Sequence, residues 1–140
     1  MLRGRLIGGC LDTTSRAAGT SFGNLPGFVE SSLADGTLLY LENAEMKPCE
    51  LLRSLLSMRL NGWFEGLSDV LIGRTAAPDS VQPDELSYID ALQSALGDIP
   101  SPVLYDVDIG HVAPQLSLVN GALAQVMLRD GCGSLLQRLT

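Results

Sequence analysis

The sequence holds 140 residues, one domain's worth of chain, of which 46% are hydrophobic and 18% charged. That apolar share is normal for a globular domain and argues against disorder. Nine Lys and Arg against sixteen Asp and Glu leave a net charge of −7, which disfavours a nucleic acid or an anionic membrane as partner, because each needs a concentrated basic face.

Taken in chain order, Arg5-Leu6-Ile7 reads as a short strand running into Gly8-Gly9. Leu11 to Ala18 reads as a helix closed by Gly19. Phe22 to Ser32 reads as irregular, because Gly23, Asn24, Pro26 and Gly27 all break regular structure. After the Asp35-Gly36 turn, Thr37-Leu38-Leu39-Tyr40-Leu41 is a continuous apolar run, as expected of a strand buried on both faces. Lys47 to Leu60 is a helix: Pro48 suits its first turn and Gly62 ends it. Asp69-Val70-Leu71-Ile72-Gly73 is a second buried strand, and Arg74 to Gln82 a polar loop. Pro83 to Leu96 reads as another helix, and Pro102-Val103-Leu104-Tyr105 as a strand. Leu116 to Val119, followed by the Asn120-Gly121 turn signal, reads as the first arm of a hairpin. A second hairpin signal, Asp130-Gly131, separates Ala122–Arg129 from Ser134–Leu139. The pattern predicts an α/β fold in which a small parallel layer is followed by an antiparallel meander, arranged as one mixed sheet or as two stacked sheets.

Three widely spaced cysteines, Cys10, Cys49 and Cys132, make neither a disulfide framework nor a cysteine-rich zinc site, and a reducing compartment, the cytoplasm, is the expected location. The apolar stretch before Gly8-Gly9-Cys10 is too short for a lipoprotein signal. One histidine, His111, rules out a multi-histidine metal centre.

Polar residues follow three of the strands: Glu42-Asn43, Arg74-Thr75, and the Asp106 to His111 segment. Ligands collect beyond the carboxyl ends of parallel strands, so Glu42, Arg74 and His111 are expected on one edge. A carboxylate beside an imidazole is the orienting half of a nucleophilic triad. No G-x-S-x-G elbow supplies the nucleophile. Ser68 precedes its strand, where an elbow serine follows one. Cys10 has the better context, a Gly-rich turn after a strand. A competing arrangement is Asp106-x-Asp108-x-x-His111, whose two carboxylates and imidazole could hold one divalent cation. A structural histidine and a helix-capping Glu42 are the plainer alternatives.

Several short motifs recur in one order: Gly8-Gly9-Cys10-Leu11, Gly19-Thr20, Leu38 to Glu42, Gly62-Trp63-Phe64, Asp69 to Gly73 and Gly110-His111. Together they resemble the C-terminal domain of the LD-carboxypeptidase family, which includes the microcin C self-immunity proteins. The resemblance covers nearly the whole chain and implies a small swivelling β/β/α-type domain. The family uses a Ser-Glu-His triad; its glutamate matches Glu42 and its histidine matches His111. The serine belongs to an N-terminal domain similar to class I glutamine amidotransferases, which this chain lacks. The family usually has Asn where this chain has Cys10 and an acidic residue where it has Asn43.

The resemblance implies residues 1–140 as the C-terminal domain of a two-domain serine carboxypeptidase or amidase. Its substrate would be an L,D-linked murein peptide or a peptidyl- or aminoacyl-nucleotide antibiotic such as processed microcin C. Cys10, Asn43 and Arg74 are the expected substrate contacts. No metal or organic cofactor is implied, and the isolated chain is expected to be inactive. The rival reading is a non-catalytic binding module with the same fold. A homodimer is expected, with Leu25, Phe28, Trp63 and Phe64 as candidates for an exposed apolar surface; the alternative is that Trp63 and Phe64 cap the helix ending near Gly62 and are buried.

Overall fold

A computed structural model describes residues 1–82 and 84–139. Among these residues six strands form a single mixed sheet in the order β4-β3-β2-β1-β5-β6. Strands β1 (Leu2–Cys10), β2 (Thr37–Glu42), β3 (Asp69–Gly73) and β4 (Val103–Val107) run parallel. Strand β5 (Leu123–Arg129) is antiparallel to β1, and β6 (Cys132–Arg138) is antiparallel to β5. The Asp130-Gly131 turn that joins this last pair has both residues at positive φ, 50° and 79°, as a tight hairpin turn requires.

From β1 to β4 each new strand is added on the same side of the last. With right-handed crossovers, that order puts every connecting helix on one face. Helices α1 (Leu11–Thr14), α2 (Leu25–Ser31), α3 (Pro48–Leu60) and α4 (Tyr88–Leu96) accordingly share one core with the sheet. Leu39, Leu41, Val70 and Ile72 face these helices, while their strand neighbours Leu38 and Leu71 face a second cluster with Leu6, Ala124 and Val126. This alternation has a period of two, and both halves are buried. That is why β2 and β3 read as unbroken apolar runs.

The expected hairpin around Asn120-Gly121 does not form. The turn itself is present, with Ala122 N–H donating to Val119 C=O. Leu116–Val119 is not a strand, however, and the turn delivers the chain onto β1. There Gly121 N–H donates to Leu6 C=O and Leu6 N–H to Ala122 C=O, while the Asn120 amide brackets the backbone N–H and C=O of Gly8.

Three further expectations are corrected. The stretch containing Asn24, Pro26 and Gly27 is not irregular throughout. Asn24 is an N-cap whose side chain accepts from Gly27 N–H, and Pro26 sits in the first turn of α2, where a missing N–H costs nothing. The last helix starts later than expected. Pro83 lies outside the described residues, and α4 opens at Tyr88, capped by Ser87, whose oxygen accepts from Asp90 N–H.

Leu25, Trp63 and Phe64 are buried and Phe28 packs against the helical core, so they do not form an exposed surface. Trp63 is turned inward by the end of α3. Gly62, at φ 75°, donates to Arg59 C=O, and Trp63 N–H donates to Met58 C=O. This is the Schellman pattern, whose first residue beyond the turn packs back on the last helical turn. The exposed apolar side chains are elsewhere, among them Phe22, Leu60, Leu128 and Leu139.

Candidate active site at the carboxyl edge of the parallel strands

The parallel register pairs Cys10 with Glu42 at the ends of β1 and β2. His111 arrives from the loop beyond β4. Pairing between β3 and β4 skips a residue after Leu71, and Asp106 in the bulged strand adopts φ 57°. A bulge bends its strand and re-aims the chain beyond it, here the segment ending in Gly110-His111. His111 Nδ1 lies 3.0 Å from Glu42 Oε2.

Glu42 is held between two glycines. A Cβ on Gly73 would stand 2.8 Å from Glu42 Cβ, and one on Gly110 2.6 Å from Glu42 Oε2. Gly110 also has φ 104°, a conformation that L side chains avoid. The result is a carboxylate whose side chain is 7% exposed against an imidazole that is 57% exposed. The glutamate is fixed, and the ring it orients faces outward. Tyr88, whose hydroxyl donates to Gly73 C=O, braces the same strand end; burial, followed by nearby acidic groups, pushes its phenol up to about 12.

The hydrogen bond that His111 makes to the Glu42 carboxylate, reinforced by its charge, raises the His111 pKa above the ordinary histidine value. Burial, partly opposed by a backbone hydrogen bond at Asp12 and joined by the neighbouring Glu42 and Asp12 carboxylates, pushes the Cys10 thiol up to about 11. Cys10 is therefore protonated at neutral pH, the wrong state for a nucleophile. Its Sγ donates to Asp12 Oδ2 at 3.4 Å. Asp12 also accepts the Ala44 and Glu45 N–H groups. Burial alone would raise the Asp12 pKa, but these donors outweigh it and hold the carboxyl below its usual range.

A cavity of about 340 Å³ opens over the pair, lined by Cys10, Tyr40, Glu42, His111, Gln115 and Leu118 among others. A larger cleft, about 530 Å³ around Lys47, Asp79 and Leu86, contains neither Glu42 nor His111. Of the expected substrate contacts, Cys10 lines the smaller cavity. Asn43 and Arg74 do not. Asn43 is buried, its amide bonded to Met46 and Thr75. Arg74 pairs with Asp108 at 2.9 Å and donates to Val112 C=O, so it ties down the loop that carries His111. Because Asp108 is paired with Arg74, the expected Asp106-Asp108-His111 cation loop is not assembled. Ser68 lies at the amino end of β3, where its hydroxyl accepts from Thr37 N–H. It sits roughly the length of a five-residue strand, about 16 Å, from the edge that carries Glu42.

The sequence reading missed Gly73, Asp12 and Gln115. Only Asp12 carried a signal, an acidic residue in the first turn of a helix that follows a strand.

This constellation can be set beside known proteins. The family model described as the LD-carboxypeptidase C-terminal domain matches residues 3–126. The chain belongs to the LD-carboxypeptidase C-terminal domain family. A protein of Streptomyces coelicolor, provisionally named a carboxypeptidase, is 31% identical over 124 residues, 89% of this chain and 36% of its own length. The fold of this LD-carboxypeptidase domain is shared with a muramoyltetrapeptide carboxypeptidase from Oxalobacter formigenes, at TM-score 0.77 and 21% identity over 96% of this chain and 45% of that one. It is shared also with the microcin C7 self-immunity protein MccF in complex with aspartyl sulfamoyl adenosine, at TM-score 0.66 and 22% identity over 88% of this chain and 34% of that one. The LD-carboxypeptidase domain thus spans less than half the length of each of these relatives. Among the described residues, no helix is long and apolar enough to cross a membrane.

Proposed function

We propose that this domain supplies the acid–base half of a serine-type carboxypeptidase or amidase. His111 is the general base and then the general acid; Glu42 orients it. The observation that carries the reading is the 3.0 Å contact between a buried carboxylate and a half-exposed imidazole that opens on a cavity. With Nδ1–H directed at Glu42, Nε2 is the nitrogen left to take a proton from a nucleophile. The carboxylate selects that tautomer and stabilises the imidazolium that forms.

The nucleophilic serine would come from an N-terminal domain of the same polypeptide, in the cytoplasm. The substrate class is an L,D-linked murein peptide or a peptidyl- or aminoacyl-nucleotide. The relatives support both, since one is a muramoyltetrapeptide carboxypeptidase and another holds aspartyl sulfamoyl adenosine. Cys10 is the proposed substrate contact from this domain, since it lines the cavity. No metal or organic cofactor enters the reaction, and the assembly is a homodimer.

The alternative is a non-catalytic binding module. It is favoured by one feature: among the described residues, the cavity lining holds no serine or threonine. Turnover of an L,D-tetrapeptide and of an aminoacyl sulfamoyl adenosine decides between them. The full-length protein should hydrolyse one of the two and the 140-residue chain neither. Hydrolysis by the chain itself would overturn the two-domain account, and none by the full-length protein would favour the binding module.

A further inference from the structure

The proposed reaction needs no thiol, yet Cys10 stands at the same strand edge as the Glu42–His111 pair. Cys10 Sγ, a Glu42 carboxylate oxygen and a ring nitrogen of His111 all lie within 4.8 Å of one another. The three come from separate parts of the fold: the end of β1, the end of β2 and the loop beyond β4. In the sequence, the ligands that seemed available to a cation were Asp106, Asp108 and His111 of one loop. The fold diverts Asp108 to Arg74 and gathers a different set.

We propose that Cys10, Glu42 and His111 form a binding site for a soft divalent cation of the zinc class. Sulfur, imidazole nitrogen and carboxylate oxygen is a donor set suited to zinc, whereas magnesium and calcium require all-oxygen ligands. In a tetrahedral zinc site the bonds run about 2.0–2.3 Å, so neighbouring ligand atoms stand roughly 3.5 Å apart. Closing the present spacing to that value takes shifts on the order of 1 Å, and the half-exposed His111 ring is free to make them. Glu42 needs little movement, since its position is already fixed by Gly73 and Gly110.

Charge favours the same occupant. Asp12 accepts from Cys10 Sγ and so lies directly behind the site. Its carboxylate and that of Glu45 both act on the His111 ring. A divalent cation brings positive charge next to these carboxylates, and it stabilises the thiolate. Three protein ligands leave a fourth position facing the cavity, open to water or a ligand group. A bound cation and a general base compete for the same imidazole, so the site opposes hydrolysis rather than assisting it. Its existence does not depend on the hydrolytic reading, because binding is measured without substrate.

The test is titration of the metal-free 140-residue chain with Co²⁺, followed by displacement with Zn²⁺. Co²⁺ should bind at one equivalent with a sulfur-to-cobalt charge-transfer band and the absorption of a tetrahedral ion, and Zn²⁺ should abolish both. The band should be lost in Cys10→Ser and in His111→Ala. It should persist in the Cys49→Ser/Cys132→Ser double variant, which removes the two exposed thiols. Circular dichroism checks that each variant is folded, and His111→Gln replaces His111→Ala if the latter is not. Binding without a sulfur band, a band that survives Cys10→Ser, or no binding at all would overturn the proposal.

Discussion

His111 and Glu42 are 69 positions apart in the sequence and 3.0 Å apart in space. The contact joins the end of β2 to the loop beyond β4 across the intervening end of β3. One consequence is a displaced titration. The hydrogen bond and charge of Glu42 favour the imidazolium, so His111 should titrate above the ordinary histidine value in an NMR pH series. Glu42→Gln should return it toward that value. The linkage runs in one direction: a raised folded-state pKa stabilises the fold below the unfolded value and ceases to do so as pH rises through the raised one. Thermal melts should therefore show Glu42→Gln losing more stability at acidic than at alkaline pH. An unchanged His111 titration in the variant would break the assignment.

Gly110 tests whether the carboxylate is held by shape. A Cβ there would meet Glu42 Oε2 at 2.6 Å while the backbone keeps φ 104°. Gly110→Ala should cost ~1–3 kcal/mol, since it combines left-handed strain with overpacking. It should also loosen the His111–Glu42 contact, so that the histidine titrates nearer its ordinary value although neither partner has been changed. Chemical denaturation and the same NMR series measure the two effects. A variant as stable as the parent, with an unmoved histidine, would show that Glu42 does not need this gap.

The three thiols should differ in reactivity. Burial and the adjoining carboxylates push Cys10 up to about 11, whereas Cys49 and Cys132 are exposed. Alkylation at neutral pH requires the thiolate. Timed iodoacetamide labelling with peptide mass spectrometry should find Cys49 and Cys132 modified well before Cys10. Preferential labelling of Cys10 would reopen its case as a nucleophile.

The sequence made the strands legible because burial on both faces leaves no alternative to a continuous apolar run, as at Leu38–Leu41 and Val70–Ile72. It also placed Glu42 and His111 on one edge, because parallel strands put all their carboxyl ends together. What it hid was the use of individual polar and special residues. Asn24, Pro26 and Gly27 look like breakers one at a time, yet together they make the start of a helix. Trp63 could be read as exposed or as a buried helix cap, because its inward turn depends on hydrogen bonds back to α3. Asn43 and Arg74 looked like ligand contacts, but the Asn43 amide is bonded within the protein and Arg74 is turned onto the loop that carries His111. Gly73 and Gly110 leave the gap through which Glu42 passes, and no spacing along the chain reveals that approach.

The full-length protein offers the most demanding prediction, because it separates the roles of four residues. On the proposed mechanism His111→Ala removes the base, and in triads of comparable design that loss costs ~10⁶ in turnover. Glu42→Gln keeps the shape but removes the charge that stabilises the imidazolium, at a cost of ~10⁴. Asp106→Asn and Asp108→Asn should be far milder. Asp106 serves the bulge, and Asp108 acts on the site only through its pairing with Arg74. Losing that pair loosens the loop that carries His111, so Asp108→Asn should appear first in thermal stability. Steady-state kinetics on folded variants, with melts as control, give the ranking. If a cation held by Asp106, Asp108 and His111 ran the reaction, the aspartate variants would be as damaged as His111→Ala, and a chelator would abolish turnover. If His111 were merely structural, all four changes would lower stability and none would selectively lower turnover. Near-normal turnover in Glu42→Gln would remove Glu42 from the catalytic machinery, whatever its distance from the ring.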